Sequence, residues 1–455
     1  MMKVYETIYD YYVRQIKENT LQAGDQMPSI RESERILNVS RTSVETAYFQ
    51  LAADGYIYAI EKVGYFVSKK QKQLEKNPGK QSVRREKVDA PVVYDLSTIG
   101  EDRSVSCLQL WRRYMKSALR QEERLLRYAG SQGEEDLREE IAAYVRKTRN
   151  ILCSAQDIVI GAGFQNLLQI LIALIPGEKS ISFPTREFAE CAQTFQNAGY
   201  RISYRDKECH VLYVTPSQMT RWGEVMTMQR RREIIEHCLN NHHLLIEDDY
   251  QHEFVFSGKP TPSLYAMTAG EQTAFLGSFS RVLLPSVRIS FLILPRGTQQ
   301  AYQSIGHLYH QTASIAEQIA LTQFLRDGHL QRHIKKMRRI YEDKRQCLIE
   351  EVRSHFVENA EQGAERNVLT SEQGAERRVE LLIGESGTEI GLRLPGKDLR
   401  SRLPDAGVAV QVSEEISDAL TIILSCSRIG RDQIAPAVKM LSHWYFGCRQ
   451  KREPI

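Results

Sequence analysis

Two stretches of the sequence carry groups that can hold a phosphate. In the first, a glycine precedes a helical pattern, and the backbone amides that open a helix can cradle a phosphate dianion. The second supplies two hydroxyl groups and a guanidinium, which forms bidentate, charge-assisted hydrogen bonds. The residues concerned are Gly163, Phe164, Gln165, Ser278, Ser280 and Arg288. Each stretch by itself is suited to an anionic group.

The elements that must position these groups begin at about residue 94. Short apolar runs alternate there with helical patterns, which is typical of an α/β domain with a largely parallel sheet. The pattern turns helical after Gln299 and stays so through Phe356, and a mixed region from about Glu380 predicts a second, smaller α/β subdomain. The strand candidates are 158–160, 180–183, 211–214, 244–246 and 274–276.

Residues 4–68 predict a separate unit in the order helix, helix, turn, helix and hairpin, which is the winged helix-turn-helix order. Ser29, followed three positions later by a glutamate, forms a capping-box pattern at the start of the second helix. Ser40 is the expected N-cap of the third helix. Strands are expected at 56–60 and 64–67.

The segments 27–32 and 39–44, together with the wing 62–67, resemble the DNA-binding domain of the GntR family. The resemblance implies a double-stranded DNA operator, with the start of the third helix on base edges and the flanking residues on phosphates. Arg41 can bind a guanine edge or a phosphate. The alternative is that the arginines are ordinary surface residues. The expected DNA contacts are Ser29, Arg31, Ser40, Arg41, Thr42, Ser43, Lys62 and Gly64.

Four further motifs follow in order, at 128–141, 161–165, 247–250 and 278–288. Their order and spacing are similar to those of the MocR subfamily, in which a GntR-type domain is fused to an aminotransferase class I/II-like domain. The resemblance implies an α/β fold: an N-terminal winged helix-turn-helix plus the fold type I of transferases that depend on pyridoxal phosphate (PLP). It also implies a head-to-tail homodimer and a small-molecule effector.

The resemblance assigns roles to two residues of the acidic motif. Asp248 would pair with the ring nitrogen of PLP, and Tyr250 would donate a hydrogen bond to its phenolic oxygen. An isolated acidic triplet such as 247–249 is otherwise typical of a turn at the end of a strand.

Arg281 stands where these regulators have the lysine that binds PLP as an imine. Imine formation needs a neutral amine, whereas a guanidinium stays protonated at physiological pH. No lysine lies between Lys259 and Lys335 to replace it nearby. Other departures from the family pattern fall at ring-stacking, substrate-binding and carboxylate-binding positions, namely Arg186, Phe188, Gln218 and Ile423, with Arg428 close to the last of these.

The phosphate-binding residues are thus retained while the imine position has changed. This favours a DNA-binding transcriptional regulator whose aminotransferase-like domain is catalytically inactive and serves dimerisation or sensing. Covalent binding of PLP is doubtful, and the ligand is PLP, another phosphorylated molecule, or none. The alternative is a PLP-binding MocR-type regulator, or a PLP-dependent aminotransferase with a noncovalently held cofactor. A third interpretation is a structural repressor in which Arg281 reaches into the phosphate site.

The composition is that of an ordinary globular protein, with 455 residues, 42% hydrophobic and 26% charged residues, and a net charge of +4. Eight cysteines without paired spacing argue against disulfides and against a metal site, and they favour the cytoplasm. No apolar run has the length of a signal peptide or a membrane helix.

The expected domains are a GntR-type DNA-binding domain at 1–69, a basic flexible linker at 70–93 and the aminotransferase class I/II-like domain at 94–455. Within the last, the large subdomain is expected at about 120–310, and the small one from the N-terminal flank and about 340–455. The linker is either a solvated spacer or an additional phosphate-binding segment.

Overall fold

The computed structural model describes residues 4–60, 63–68, 92–97, 100, 102, 104–258, 261–358, 378–416 and 418–450. The chain divides into two units, Met1–Val88 and Asp89–Ile455. Most of the expected linker, residues 70–91, lies outside the described residues.

The first unit is a winged helix-turn-helix, as predicted. Both capping serines act as expected: Ser29 Oγ accepts from the backbone N–H of Glu32 at 3.2 Å, and Ser40 Oγ accepts from that of Ser43 at 3.3 Å. The two strands form an antiparallel hairpin. The elements are α1 (Val4–Lys17), α2 (Ile30–Leu37), α3 (Arg41–Ala53), β1 (Ile57–Ile60) and β2 (Gly64–Val67).

A chain of buried hydroxyl groups links the three helices of this unit. The hydroxyl of Tyr12 lies 2.7 Å from Ser33 Oγ, which lies 2.8 Å from the hydroxyl of Tyr48. Tyr48 in turn donates to the backbone oxygen of Pro28 at 2.8 Å. A buried polar group left without a partner costs about 1–3 kcal/mol. This series of hydrogen bonds therefore fixes α1, α2 and α3 relative to one another.

The second unit is an α/β body. Its helices are α4 (Leu108–Ala118), α5 (Glu122–Leu125), α6 (Glu135–Arg149), α7 (Phe164–Leu174), α8 (Ala192–Asn197), α9 (Met228–Asn241), α10 (Leu264–Thr268), α11 (Gln299–Ile305), α12 (Ile315–Arg326), α13 (His329–Val352), α14 (Leu399–Arg402) and α15 (Arg431–Gln450). Its strands are β3 (Tyr94–Asp95), β4 (Ile158–Gly161), β5 (Ser180–Phe183), β6 (Arg201–Tyr204), β7 (Val211–Val214), β8 (Leu244–Asp248), β9 (Thr273–Ser278), β10 (Ser290–Ile293), β11 (Glu380–Leu382), β12 (Glu389–Pro395), β13 (Val408–Ala409), β14 (Gln411–Ile416) and β15 (Ala419–Ser425).

Seven of the described strands form the main sheet, in the order β4-β10-β9-β8-β7-β5-β6. Strand β10 runs antiparallel to both of its neighbours, and the other pairings are parallel. Strands β4, β5, β7 and β10 are buried along their whole length, as expected for a sheet that is covered on both faces. The predicted largely parallel sheet is confirmed, and its parallel strands bring their carboxyl ends to one edge.

A second sheet has the order β11-β12-β15-β14, and all of its pairings are antiparallel. Strand β3, from the N-terminal flank, pairs in parallel with β13 from the C-terminal part of the chain. These elements form the smaller subdomain, in which β12 carries side chains that matter for the site.

The loop after β7 contacts the loop before β12. The backbone N–H of Gly384 donates to the oxygen of Trp222, and that of Ser386 to the oxygen of Gly223, both at 2.9 Å. A Cβ on Gly223 would lie 1.8 Å from the backbone oxygen of Ser386, and its φ is +91°. A residue with a side chain does not fit there. The contact holds the start of β12 close to the end of β7.

Across the described residues, no helix combines the length and the apolarity that a membrane span requires. The same part of the chain contains no group of three side chains placed to hold a metal ion. All eight cysteines are free thiols.

Candidate functional site

A cavity of about 310 Å³ opens in the second unit where parallel strands of the main sheet end. Tyr213 lies near the end of β7, Asp248 is the last residue of β8 and Ser278 is the last residue of β9. Ligands of open α/β sheets bind outside the carboxyl ends of such strands. Two of the residues that the sequence singled out, Asp248 and Ser278, therefore line the same cavity.

One end of the cavity is the start of helix α7. Gly163 is its N-cap, with a φ of +99°, and the helix begins at Phe164. The first backbone N–H groups of a helix have no partner within it, so they are available to an anion. The guanidinium of Arg288 lies directly over the glycine, because Nη2 is 2.9 Å from the position of a Cβ on Gly163. Arg288 is exposed and has no hydrogen-bond partner among the described residues.

The two serines at this end differ in what they can offer. Ser280 Oγ donates to the backbone oxygen of Val287 at 2.9 Å, so its proton is already used. Ser278 Oγ accepts from Ser290 Oγ at 3.1 Å, which leaves its own proton for a ligand. Gln165 is exposed and is not among the residues that line the cavity, so only its backbone amide can take part.

Asp248 occupies a half-buried position beside Tyr213, whose hydroxyl donates to its carboxylate. Burial raises the pKa of Asp248 to about 7, and the hydrogen bond from Tyr213 lowers it only in part. Tyr250 lines the cavity, but its hydroxyl donates to Gln218 Oε1 at 2.8 Å. A carboxyl group with this pKa can share a proton with a ring nitrogen, whereas the Tyr250 hydroxyl must give up Gln218 to donate to a ligand.

Arg281 lines the cavity and forms an ion pair with the smaller subdomain. Its Nη2 donates to Glu389 Oε1 at 3.1 Å and to Thr388 Oγ1 at 3.4 Å. The side chain of Arg281 is 16% exposed, and that of Glu389 is 3% exposed. These hydrogen bonds direct Arg281 towards the start of β12 and not towards α7. They argue against the interpretation in which Arg281 fills the phosphate site.

Arg221 is a third cation of the cavity, and the sequence analysis gave it no role. Its Nη2 lies 3.6 Å from Glu190 Oε1, which also belongs to a lining residue. Its Nη2 donates to the backbone oxygen of Glu187 at 2.7 Å, and its guanidinium lies over the ring of Phe188, 5.3 Å from the centroid. Arg186, by contrast, is exposed, stacks 5.8 Å from the centroid of Tyr204 and does not line the cavity. Phe188 does line it. Phe188 therefore contributes to the aromatic surface of the cavity, together with Phe164, Tyr213, Tyr250, Phe254 and Tyr341.

The C-terminal candidates for binding a carboxylate do not reach the cavity. Ile423 is buried within β15. Arg428 is exposed and packs its Cδ 3.5 Å from the position of a Cβ on Gly100. Gly100 lines the cavity, but Arg428 does not.

Thus several contributors to the site were not found by sequence reasoning. Tyr213 belongs to a strand that was interpreted only as apolar, and Thr388 and Glu389 lie more than 100 positions after Arg281. Their types alone carried no signal, since pairing between distant segments depends on the fold. Arg221 stood in a segment that already departed from the family pattern, which was the available hint.

In the first unit, the expected DNA contacts lie at the starts of α2 and α3 and at the wing. Arg41 is 60% exposed, and its Nε donates to Glu45 Oε1 at 2.9 Å across one helical turn. Gly64 has a φ of +133° at the start of β2. Lys62 lies outside the described residues. The other candidates are Ser29, Arg31, Ser40 and Thr42, which are exposed, and Ser43, which is half-buried.

Comparison with known proteins supports both units. The family "Bacterial regulatory proteins, gntR family" matches residues 4–67, and "Aminotransferase class I and II" matches residues 100–374. The uncharacterized HTH-type transcriptional regulator YhdI of Bacillus subtilis is 33% identical, over 78% of this chain and 79% of its own length. The pyridoxine biosynthesis transcriptional regulator PdxR of Corynebacterium glutamicum is 28% identical, over 74% of this chain and 76% of its own length. The chain belongs to the MocR-type transcriptional regulators.

Solved structures give the fold of the second unit of this MocR-type regulator. A kynurenine aminotransferase from Pyrococcus horikoshii matches with a TM-score of 0.64 and 20% identity, covering 84% of this chain and 97% of that one. The predicted fold type I is therefore confirmed. The regulator binds DNA through its gntR-family domain, and its second domain is of the PLP-dependent aminotransferase type by family.

The residues of the cavity fit part of PLP. The amides of α7, Arg288 and Ser278 are suited to its phosphate, and Asp248 to its ring nitrogen. The cavity has no amine to which PLP could be attached covalently, because none of the described residues that line it is a lysine. When PLP is bound to a lysine it supplies an electron sink for carbanion chemistry. In this cavity the chain's own residues can bind and orient such a molecule.

Proposed function

We propose that this MocR-type regulator binds its operator as a homodimer and that its aminotransferase-like domain binds a phosphorylated pyridine without a covalent bond and without catalysing amino transfer. The observation that carries the proposal is the ion pair between Arg281 and Glu389 at 3.1 Å. By the resemblance of the segment 278–288 to the family pattern, Arg281 stands where a lysine would attack an aldehyde. The name of the Corynebacterium glutamicum relative, which refers to pyridoxine biosynthesis, supports a ligand of this chemical class.

The phosphate end of the cavity supports binding, whereas the opposite wall argues against catalysis. The backbone N–H of Phe164 and the guanidinium of Arg288 provide donors that no described protein group outside helix α7 uses, whereas the N–H of Gly163 donates to the backbone oxygen of Gly161 at 3.0 Å. Arg281 cannot act as a nucleophile, because a guanidinium stays protonated and offers no free amine lone pair. A regulator can retain the first property and lose the second, since sensing requires only a difference in affinity between two conformations.

The test is to mix the purified protein with PLP, treat it with borohydride and map any modified lysine by peptide mass spectrometry. We expect binding that dialysis reverses and no reduced adduct in the wild type. Arg281→Lys is expected to gain an adduct at position 281, because it returns an amine to the cavity wall. Arg186→Lys is the matched control, since Arg186 is exposed and lies outside the cavity.

A stoichiometric adduct on any lysine of the wild type would overturn the noncovalent proposal. An aminotransferase that holds its cofactor noncovalently is the second candidate function, and Asp248 and Arg288 favour it to the extent that they suit PLP. Release of a keto acid from an amino acid by the wild type would support that candidate instead.

The DNA contacts of the proposal are those at the helix starts and the wing. The exposed Ser29, Arg31, Ser40, Arg41 and Thr42, with Ser43, Lys62 and Gly64, are proposed to hold phosphates or base edges. A helix N-terminus with free N–H groups and adjacent hydroxyls suits phosphate oxygens, and arginine suits guanine.

The homodimer of the proposal has a candidate face beside the phosphate end of the cavity. Tyr128 is fully exposed and Leu308 is 67% exposed. Their segments meet, because Gln311 Nε2 donates to the backbone oxygen of Ser131 at 3.2 Å. The same surface reaches the cavity through Thr312, whose Oγ1 accepts from the N–H of Ala162, next to Gly163, at 2.9 Å. We assign this face to a second copy in a head-to-tail pair, which would also present two DNA-binding units to paired half-sites.

A further inference from the structure

We propose that the cavity selects a phosphorylated pyridine that carries a carboxylate, in preference to the aldehyde of PLP, and that Arg281 is the residue that binds this carboxylate. The inference rests on the proposed function, since it names the chemical class of ligand for the same cavity. It follows from the N–H donors of the Arg281 guanidinium that are not used within the described residues.

Arg281 uses only part of its hydrogen-bonding capacity. A guanidinium carries five N–H donors in a planar fork. Only Nη2 is engaged, with Glu389 and Thr388. Among the described residues, Nε and Nη1 of Arg281 have no hydrogen-bond partner. The side chain lines the cavity and is only 16% exposed. Neither nitrogen is among the fully buried unpaired atoms of the described residues, so both are open to the cavity and available to an acceptor on a ligand.

Glu389 holds the guanidinium in place. Its Oε2 accepts from the backbone N–H of Thr388 at 2.9 Å, and its Oε1 accepts from Thr388 Oγ1 at 3.0 Å. With 3% exposure, this carboxylate has little freedom to move. Arg281 is thereby anchored at one nitrogen, and the remaining donors are oriented before a ligand arrives. Such preorganisation lowers the entropic cost of binding.

Acidic and basic residues both line the cavity, so the preference for a carboxylate rests on the free donors of Arg281 and not on an excess of positive charge. Glu389 pairs with Arg281, and Glu190 Oε1 lies 3.6 Å from Arg221 Nη2. Arg221 also donates to the backbone oxygen of Glu187 at 2.7 Å, so less of its hydrogen-bonding capacity is left for a ligand. Burial and the charge of Asp248 raise the pKa of Tyr250, and the positive charges of Arg281 and Arg221 oppose that rise.

A carboxylate uses these donors better than an aldehyde does. Charge-assisted hydrogen bonds are roughly twice as strong as neutral ones, and the two oxygens of a carboxylate match two donors of the guanidinium fork. A neutral carbonyl oxygen accepts without charge assistance. The expected preference is about tenfold or more in Kd.

The experiment compares three probes that differ at one ring substituent: pyridoxal 5′-phosphate (aldehyde), pyridoxine 5′-phosphate (alcohol) and 4-pyridoxic acid 5′-phosphate (carboxylate). Their Kd values are measured by calorimetry with the full-length wild type and with Arg281→Gln and Arg281→Lys. Arg186→Gln is the control for removal of an arginine outside the cavity. Circular dichroism and thermal unfolding establish that each variant is folded.

We expect the carboxylate probe to bind the wild type and the control about tenfold or more tightly than the alcohol probe. Arg281→Gln should abolish this preference while leaving the Kd of the alcohol probe within about twofold, because the phosphate site is intact. Arg281→Lys should retain part of the carboxylate preference and acquire an imine with the aldehyde probe. If Arg281→Gln is unfolded, Arg281→Lys still carries the comparison.

Equal affinities of the wild type for the carboxylate and alcohol probes would overturn the inference and leave the proposed function standing. So would a preference that persists in Arg281→Gln. If none of the three probes binds the wild type, the proposed function fails together with the inference. If borohydride traps the aldehyde on a lysine of the wild type, the proposed function is refuted, whereas the inference is not.

Discussion

Asp248 and Arg281 are two of the charged residues that line the cavity. The carboxyl of Asp248 accepts from the Tyr213 hydroxyl, and the guanidinium of Arg281 is paired with Glu389. In each case the folded chain supplies one partner and leaves part of the group to the cavity. What this arrangement costs the ligand-free protein in unfolding free energy can be measured at Asp248.

Asp248→Asn is expected to stabilise the ligand-free protein, by an amount that grows with pH. Burial raises the pKa of Asp248 to about 7, against roughly 3.9 in an unfolded chain. Between these two values the folded state holds a proton that the unfolded state releases, so the wild type loses stability as the pH rises from about 4 to about 7. Asparagine does not titrate, and its Oδ1 can accept from Tyr213.

Each pH unit in this window corresponds to about 1.4 kcal/mol of unfolding free energy for Asp248 alone. The measurement is thermal or urea unfolding of wild type and variant at pH 5 and pH 8. The neighbouring Glu247, whose pKa burial also raises to about 7, is present in both proteins and cancels in the difference. A difference that is the same at both pH values would contradict the assignment.

Sequence reasoning found one half of the cavity because that half is built from local motifs. Gly163 and Phe164 are adjacent in the chain, and Ser278 and Arg288 fall within one short stretch. Glu389 could not be assigned, because an acidic residue on a strand is usually exposed, and its burial beside Arg281 depends on how the two subdomains meet. For the same reason Ser280, which appeared free to bind phosphate in sequence, donates inward to a backbone oxygen.

At the scale of elements, capping patterns predicted the helix starts and apolar runs predicted the strands. The five predicted strands all occur, but β6 and β10 were not identified. Strand β6 has two exposed ends and lies at the edge of the sheet, so its burial gives little periodic signal. Strand β10 follows Arg288 closely and has only four residues. Short elements of this kind are defined by their pairing with neighbours rather than by their own sequence.

Helix α3 gives a prediction in which two substitutions have opposite effects. The ion pair between Arg41 and Glu45 is exposed, and pairs of this kind contribute about 0–1 kcal/mol. Arg41 can therefore leave Glu45 for DNA at little cost. Arg41→Gln is expected to weaken operator binding by about tenfold or more, whereas Glu45→Gln is expected to strengthen it by freeing Arg41 and removing a negative charge.

The measurement is an electrophoretic or fluorescence titration at fixed salt, with DNA selected by the protein from a random pool. Arg35→Gln is the control, because Arg35 is an exposed arginine in the last turn of α2, away from the helix starts. An effect of Arg35→Gln as large as that of Arg41→Gln would indicate only a general loss of positive charge. Weaker binding by Glu45→Gln would exclude the proposed release of Arg41.

At the scale of the whole molecule, the proposed homodimer would bring two DNA-binding units to one operator. A single winged helix reads one half-site, and paired half-sites mirror the symmetry of a dimer. The exposed tyrosine and leucine beside Ala162 place the candidate dimer face next to the phosphate end of the cavity.

Leu308→Asp is expected to convert the dimer to a monomer, because it places a charge in a face that would otherwise be buried. Molar mass measured by light scattering during size-exclusion chromatography should fall by half. Affinity for DNA with two half-sites should fall by tenfold or more, since the second contact is no longer intramolecular, while affinity for a single half-site should stay unchanged. Leu152→Asp is the matched control, as Leu152 is also exposed but precedes β4, at the end opposite to Ala162. A Leu308→Asp protein that remains a dimer would move the interface to another face.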